Sequence, residues 1–297
     1  MKKVTKLLIN FIAVVMLVVA TIGMSACEDI KKLDVKINLY NYDISEFYSE
    51  EKVNFNIDLY RHLAPKTVDA VISHVSNGYY DDALFYTAED TGYDLIFFGD
   101  LKMNSDGKIV QNLIDGKLPS QIYGEFAKNG TKGSDIPCAL GSVGLYRSYY
   151  ANDSGFTTSS TARDSGRATI FAPQGSYSTY NGNFCFFGKF DMENSNTKTA
   201  VNSLTDIFKN IERYDFYVIY YTGTYDVSKP DENHGLTFHC VTEKEYNDLV
   251  DEGIDGLFTA SGEQLASYNK CKIKVPQFIT KSGTKKLAAS IKSVTVK

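Results

Sequence analysis

Residues 53–86 read VNFNIDLYRHLAPKTVDAVISHVSNGYYDDALFY, and the fold turns on this stretch. Val53, Phe55, Ile57 and Leu59 recur at a spacing of two, the pattern of a half-buried strand. The period then changes. Val68, Val71, Ile72 and Val75 fall at i, i+3, i+4 and i+7, which is one face of a helix. Pro65 suits the first turn, where its missing N–H costs nothing, and Gly78 suits the C-terminal cap. A helix over 65–76 is therefore predicted. Residues 79–87, YYDDALFYT, follow it as an aromatic-rich loop expected at the rim of a pocket.

Working outward, Val35, Ile37 and Leu39 alternate with polar neighbours and predict an earlier strand. Downstream, LIFFGD (95–100), QIYGEF (121–126), SVGLY (142–146), ATIFA (168–172) and FCFFGKF (184–190) read as strand pieces. NSDGKIV (104–110) carries an Asp-Gly turn. Residues 151–166 are small and polar, as a long surface loop is. Val201, Leu204, Ile207, Phe208 and Ile211 predict a second helix over 197–212. Two tyrosine- and phenylalanine-bearing strands lie in 214–227 and 235–241, and Thr242 with Glu245 forms a capping box for a short helix ending at Gly253. IKSVTVK (291–297) reads as a terminal strand. Many short strands with two longer helices point to a mainly β chain: a closed or nearly closed antiparallel barrel with capping helices.

The N-terminus carries a different kind of information. Lys2, Lys3 and Lys6 precede an apolar run and then Met24-Ser25-Ala26-Cys27, a secretory pattern with small residues before a cysteine. It resembles a bacterial lipobox, with Met24 where leucine is usual. That resemblance implies a signal peptide over 1–26, lipidation of Cys27, and a chain held at the outer face of the cytoplasmic membrane. An uncleaved membrane-spanning helix is the alternative. Residues 27–34 are expected to be a tether. Losing the three lysines takes the net charge from −5 to −8. No basic stripe interleaved with aromatics is present, so nucleic acid is not an expected partner. Cys138, Cys185, Cys240 and Cys271 remain, as disulfides or as buried thiols. Their spacing offers no metal site, and His234 and His239 would face opposite ways along a strand. Aligning DLKMNSDGKIVQ as a calcium loop puts Lys102 and Leu113 at ligand positions, so it fails. No metal or other cofactor is expected.

Several segments, in order, resemble the cyclophilin family of peptidyl-prolyl cis-trans isomerases. Residues 53–86 resemble the family's strand, first helix and following loop. Residues 98–100 resemble the end of its Gln-Gly-Gly-Asp stretch, and 122–126 its Gly-Glu-Phe. Residues 141–147 are similar to Gly-Thr-Leu-Ser-Met-Ala-Arg, 186–190 to Phe-Gly-Lys-Val, and 291–296 to the final strand. The resemblance implies an eight-stranded barrel closed by two helices over 35–297, with an α+β insertion over about 213–286 before the last strand. It implies a monomer acting on proline-containing polypeptide segments.

Rotation about a peptide bond faces a barrier of about 18–20 kcal/mol. A catalyst of that rotation needs an apolar pocket for the proline ring and a donor aimed at the prolyl nitrogen. In the family that donor is an arginine, with a glutamine and a histidine nearby. Here the aligned positions are Thr87, Phe97 and Phe184, so all three polar groups are missing. Phe85, Leu95, Phe97, Tyr146, Thr169, Phe171 and Phe184 are the candidate proline-pocket residues, with barrel core as the other reading of the phenylalanines. Arg147 and Arg167 are candidate replacement donors or, alternatively, solvent-facing arginines. Three functions follow: a weak or inactive isomerase, a non-catalytic module that binds peptides or another partner at the cell surface, or a structural or adhesive surface protein whose working surface is the 213–286 insertion.

Overall fold

A computed structural model of the chain describes residues 30–41, 46–47, 53–88, 94–131, 136–147, 151–152, 155–156, 166–211, 213–221, 238–251, 268–279, 283 and 285–297. The expected signal peptide, Cys27 and most of the 151–166 loop lie outside them. Among the described residues no helix is long and apolar enough to cross a membrane.

In chain order the first strands are β1 (Lys31–Asn41), β2 (Asn54–Leu59), β3 (Ala83–Ala88), β4 (Leu95–Met103), β5 (Ile109–Gln111), β6 (Ser142–Leu145), β7 (Ile170–Pro173) and β8 (Cys185–Phe190); of these, β3 and β5 are not among the predicted strands. After them come β9 (Arg213–Tyr221), β10 (Phe238–Thr242), β11 (Tyr268–Ile279), β12 (Lys285–Leu287) and β13 (Ala289–Val296). Helices α1 (Pro65–Ser76), α2 (Ser195–Asn210) and α3 (Glu243–Asp251) complete the described elements of three or more residues apart from two 3₁₀ turns. Eight strands pair antiparallel in the ring β3-β13-β1-β2-β8-β6-β7-β4, and β4 returns to β3 to close it. Full closure leaves no free edge within the ring. This is the closed barrel that the family resemblance implied.

Alternation sorts the side chains. Leu33, Val35, Phe55, Ile57, Phe85, Ile96, Phe98, Ile170 and Phe187 fill one cluster. Helix α1 adds Val68, Val71 and Val75 to it, and α2 adds Val201, Leu204 and Phe208. Burying those apolar stripes is what fixes both helices on the barrel. Helix α1 has the bounds predicted, with Pro65 in its first turn and Gly78 at φ +67°. Helix α2 starts two residues before the predicted 197, because the Asn194 side chain accepts from the N–H groups of Asn196 and Thr197.

Three expectations change. Residues 31–34, expected in the tether, belong to β1: Leu33 is 1% exposed and pairs with both Ile57 and Val296. The loop expected over 79–87 is a turn followed by β3, a barrel stave. QIYGEF forms no strand; Glu125 within it is instead buried against the start of α1.

The segment before the last strand builds onto the barrel. Strand β10 pairs with β9, β9 with β11, and β11 with β3 through Ile273–Ala88 and Lys274–Thr87. Thus β3 gives Leu84 to β13 and its last two residues to β11. Thr242 and Glu245 make the expected reciprocal cap of α3. Cys138, Cys185 and Cys240 are free thiols. Cys240 and Cys271 both lie opposite Val218, one strand to either side. Two strand spacings, about 9.6 Å, exceed the reach of a disulfide.

Candidate functional site

The outer face of β3, β4, β7 and β8 carries a second apolar cluster. Leu84, Tyr86, Leu95, Phe97, Leu101, Phe171, Tyr180, Phe184 and Phe186 belong to it. Five of the predicted pocket residues, Leu95, Phe97, Tyr146, Phe171 and Phe184, come together here. Phe85 does not: it neighbours Leu84 and Tyr86, so the alternation of β3 turns it into the barrel, 5.4 Å from the Phe98 ring. Thr169 sits at the margin, where its hydroxyl binds the Asp100 carboxyl.

The rings interlock. Phe97 meets Tyr146 edge-on at 5.0 Å and stacks on Tyr86 at 5.4 Å. Phe171 meets Phe184 and Phe186, each at 5.4 Å, and Tyr180 meets Phe184 at 4.6 Å. Such edge-to-face and offset pairs are the favoured aromatic geometries. A β-carbon on Gly144 would lie 2.6 Å from the Phe171 ring, so the glycine makes room for it. From the added sheet, Ile273 and Val275 join the same cluster, with Phe216 and Cys240 packed against it. Leu95, Phe97, Phe171 and Phe184 are consequently 2% exposed or less. The residues expected to line a proline-sized hollow are a solid layer instead.

The polar positions also differ from expectation. Across the β3–β4 pair the partner of Phe97 is Tyr86, not Thr87. The Tyr86 hydroxyl lies 3.0 Å from both Asp100 carboxylate oxygens. Part of Asp100 reaches the surface, but its carboxyl is enclosed, and desolvation raises its pKa to about 6 despite the hydrogen bonds from Tyr86 and Thr169. Asp100 and Tyr86 were not singled out from the sequence; the hydroxyl–carboxyl pairing follows from register, which periodicity alone does not reveal.

Neither candidate arginine is a solvent-facing side chain. Arg147 is 4% exposed, donates from Nε to the Asn183 carbonyl at 2.8 Å, and lies 5.0 and 5.1 Å from the Phe126 and Phe184 rings. It is therefore wedged at one edge of the aromatic layer, where ring faces offset part of its desolvation. Arg167 is half-buried and donates to the Pro119 carbonyl. Phe97 and Phe184 carry no polar donor, and Thr87 carries no cation. Among the described residues no group of three or more metal-binding side chains occurs.

No family model matches the chain, and no curated protein does. Two solved structures of a Cryptosporidium parvum cyclophilin type peptidyl-prolyl cis-trans isomerase are similar to it. One, in the presence of the dipeptide ala-pro, is 13% identical over 58% of this chain and 85% of that chain, with a TM-score of 0.36. The other is 11% identical over 72% and 94%, with a TM-score of 0.39.

Proposed function

We propose that the chain is a lipid-anchored, extracytoplasmic protein of cyclophilin type that holds polypeptide segments without catalysing their isomerisation. One observation carries this reading. The positions aligned with the catalytic and proline-binding groups form a packed layer, with Phe97, Phe171 and Phe184 each 2% exposed or less. There Phe171 packs against the rings of Phe97, Phe184 and Phe186 at 5.4–6.2 Å, and twisting a prolyl amide needs a donor preorganised over the bound ring. Tyr86 is turned to Asp100, and Arg147 to Asn183 and two rings. Anchoring is supported by Lys2, Lys3, Lys6, the apolar run and Cys27. The polypeptide partner is supported by the family resemblance of residues 53–86. The test is capture of a permanently unfolded chain, such as reduced and carboxymethylated lactalbumin, by the full-length protein. Micromolar binding that unlabelled proline-containing peptides displace is expected; no binding at 100-fold higher concentration overturns the reading.

A further inference from the structure

Away from the aromatic layer, an open groove of about 520 Å³ runs between α1 and residues 114–123. That volume is in the range of ligand sites. Lys66, Ala70, Ser73 and Asn77 form the helix wall. They stand at i, i+4, i+7 and i+11, one stripe along the helix. From Lys66 to Asn77 the stripe is about 16 Å long, the length of about five residues of extended chain.

The opposite wall is fixed by groups that are costly to bury. The Glu125 carboxylate, 6% exposed, accepts from the N–H groups of Lys66 at 3.1 Å and Thr67 at 2.7 Å. It thereby caps α1, whose N-cap residue Ala64 has no side chain for the task. Arg167 donates to the Pro119 carbonyl, and Ile122 N–H to the Gly166 carbonyl at 2.7 Å. A wall pinned at Pro119, Ile122 and Glu125 is preorganised, which lowers the ordering cost of binding.

The lining is suited to a peptide backbone. Ser73, Asn77, Ser120 and Gln121 are exposed and lie along both walls. Their hydroxyls and amides can each donate and accept. Ala70, Leu118 and Ile122 supply apolar contact between them. His74 also lines the groove; it is 8% exposed, desolvation lowers its pKa, and its Nδ1 has no hydrogen-bond partner among the described residues. Among the described lining residues Lys66 is the one that is charged; it sits at one end, its Nζ 4.5 Å from the Tyr123 ring.

We infer that this groove is the polypeptide site: it takes an extended segment of about five residues with a carboxylate at the Lys66 end. The inference rests on the polypeptide-holding reading and moves it off the aromatic face. Isotope-labelled full-length protein would be titrated with the capped pentapeptides Asp-Ala-Thr-Pro-Ser and Ser-Ala-Thr-Pro-Asp and their lysine counterparts. Shift changes are expected at Ala70, Ser73, Asn77 and Gln121 and in the His74 ring nitrogens. One aspartyl peptide should bind more tightly than its lysine counterpart, and Lys66→Gln should erase that difference. Ser73→Trp, on the exposed helix surface, should weaken binding at least about tenfold with an unchanged unfolding midpoint. Shifts confined to the neighbourhood of Tyr146, or a Ser73→Trp variant that binds as before, overturns the groove and leaves polypeptide holding intact. No pentapeptide binding while the carboxymethylated chain is still captured does the same. Failure of both ligands overturns the reading beneath it as well.

Discussion

Replacing Phe171 with alanine separates a filled aromatic layer from an open pocket. The Phe171 ring is 0% exposed and lies between 5.4 and 6.3 Å from the rings of Phe97, Tyr146, Tyr180, Phe184 and Phe186. Truncating a phenylalanine so enclosed removes its transfer free energy and leaves a cavity, for a cost of about 3–5 kcal/mol. Backbone on both sides limits collapse, because Phe171 pairs with Phe97 on β4 and Gly144 on β6. A ring lining a water-filled hollow would behave more like a surface residue, within about 0.5 kcal/mol of neutral. The assay is urea unfolding of full-length wild type and Phe171→Ala, with the slope compared to confirm that the same surface unfolds. A thermal scan should show the midpoint falling by about 10 °C, given about 2–4 °C per kcal/mol at this size. A loss below about 1.5 kcal/mol at unchanged slope would refute the filled-layer geometry, since it is less than half the expected cavity cost.

Other perturbations probe separate links of the argument. Glu125→Ala should destabilise by about 2–3 kcal/mol, because it strips charge-assisted hydrogen bonds from two helix N–H groups; hydrogen exchange should quicken at Lys66 and Thr67 first. Asp100 has its folded pKa raised to about 6, against 3.8 for an ordinary aspartate carboxyl. Its stabilising contribution is therefore complete below pH 3.8 and lost as pH rises through 6. Asp100→Asn should remove that part of the pH–stability slope and be the more stable protein at pH 7, by at most about 3 kcal/mol; an unchanged slope in matched denaturation series would contradict the assignment. Cys27→Ser should move the protein from the membrane to the soluble fraction on fractionation of expressing cells, and continued pelleting with membranes would argue for an uncleaved spanning segment.

The barrel was largely written in periodicity. The switch from period two in Val53–Leu59 to a helical stripe at Val68–Val75 gave α1 its observed bounds, since Pro65 and Gly78 punctuate it locally. The site was not legible to the same depth. Whether Phe85 or Tyr86 faces Phe97 depends on strand register, and one residue of slip exchanges the faces. Reading 79–87 as a rim missed that β3 is a stave, because its run of buried residues, Ala83 to Tyr86, gives no alternation to detect. The filling of the outer face comes partly from Ile273 and Val275, more than 170 residues from Phe97. No local pattern announces a contact of that separation. His74 was hidden for a related reason: it sits beside the apolar stripe of α1, and only the approach of residues 114–123 makes it part of a groove.

The most direct test of a cyclophilin-type barrel without isomerase chemistry is a protease-coupled assay on a succinyl-Ala-Ala-Pro-Phe anilide at low temperature, with full-length protein at 10 μM. Uncatalysed prolyl isomerisation takes about 10–100 s at 25 °C and longer in the cold, so even weak acceleration is visible. The packed layer predicts a cis-to-trans rate equal to that of the buffer blank. A rate that rises in proportion to protein concentration would contradict it.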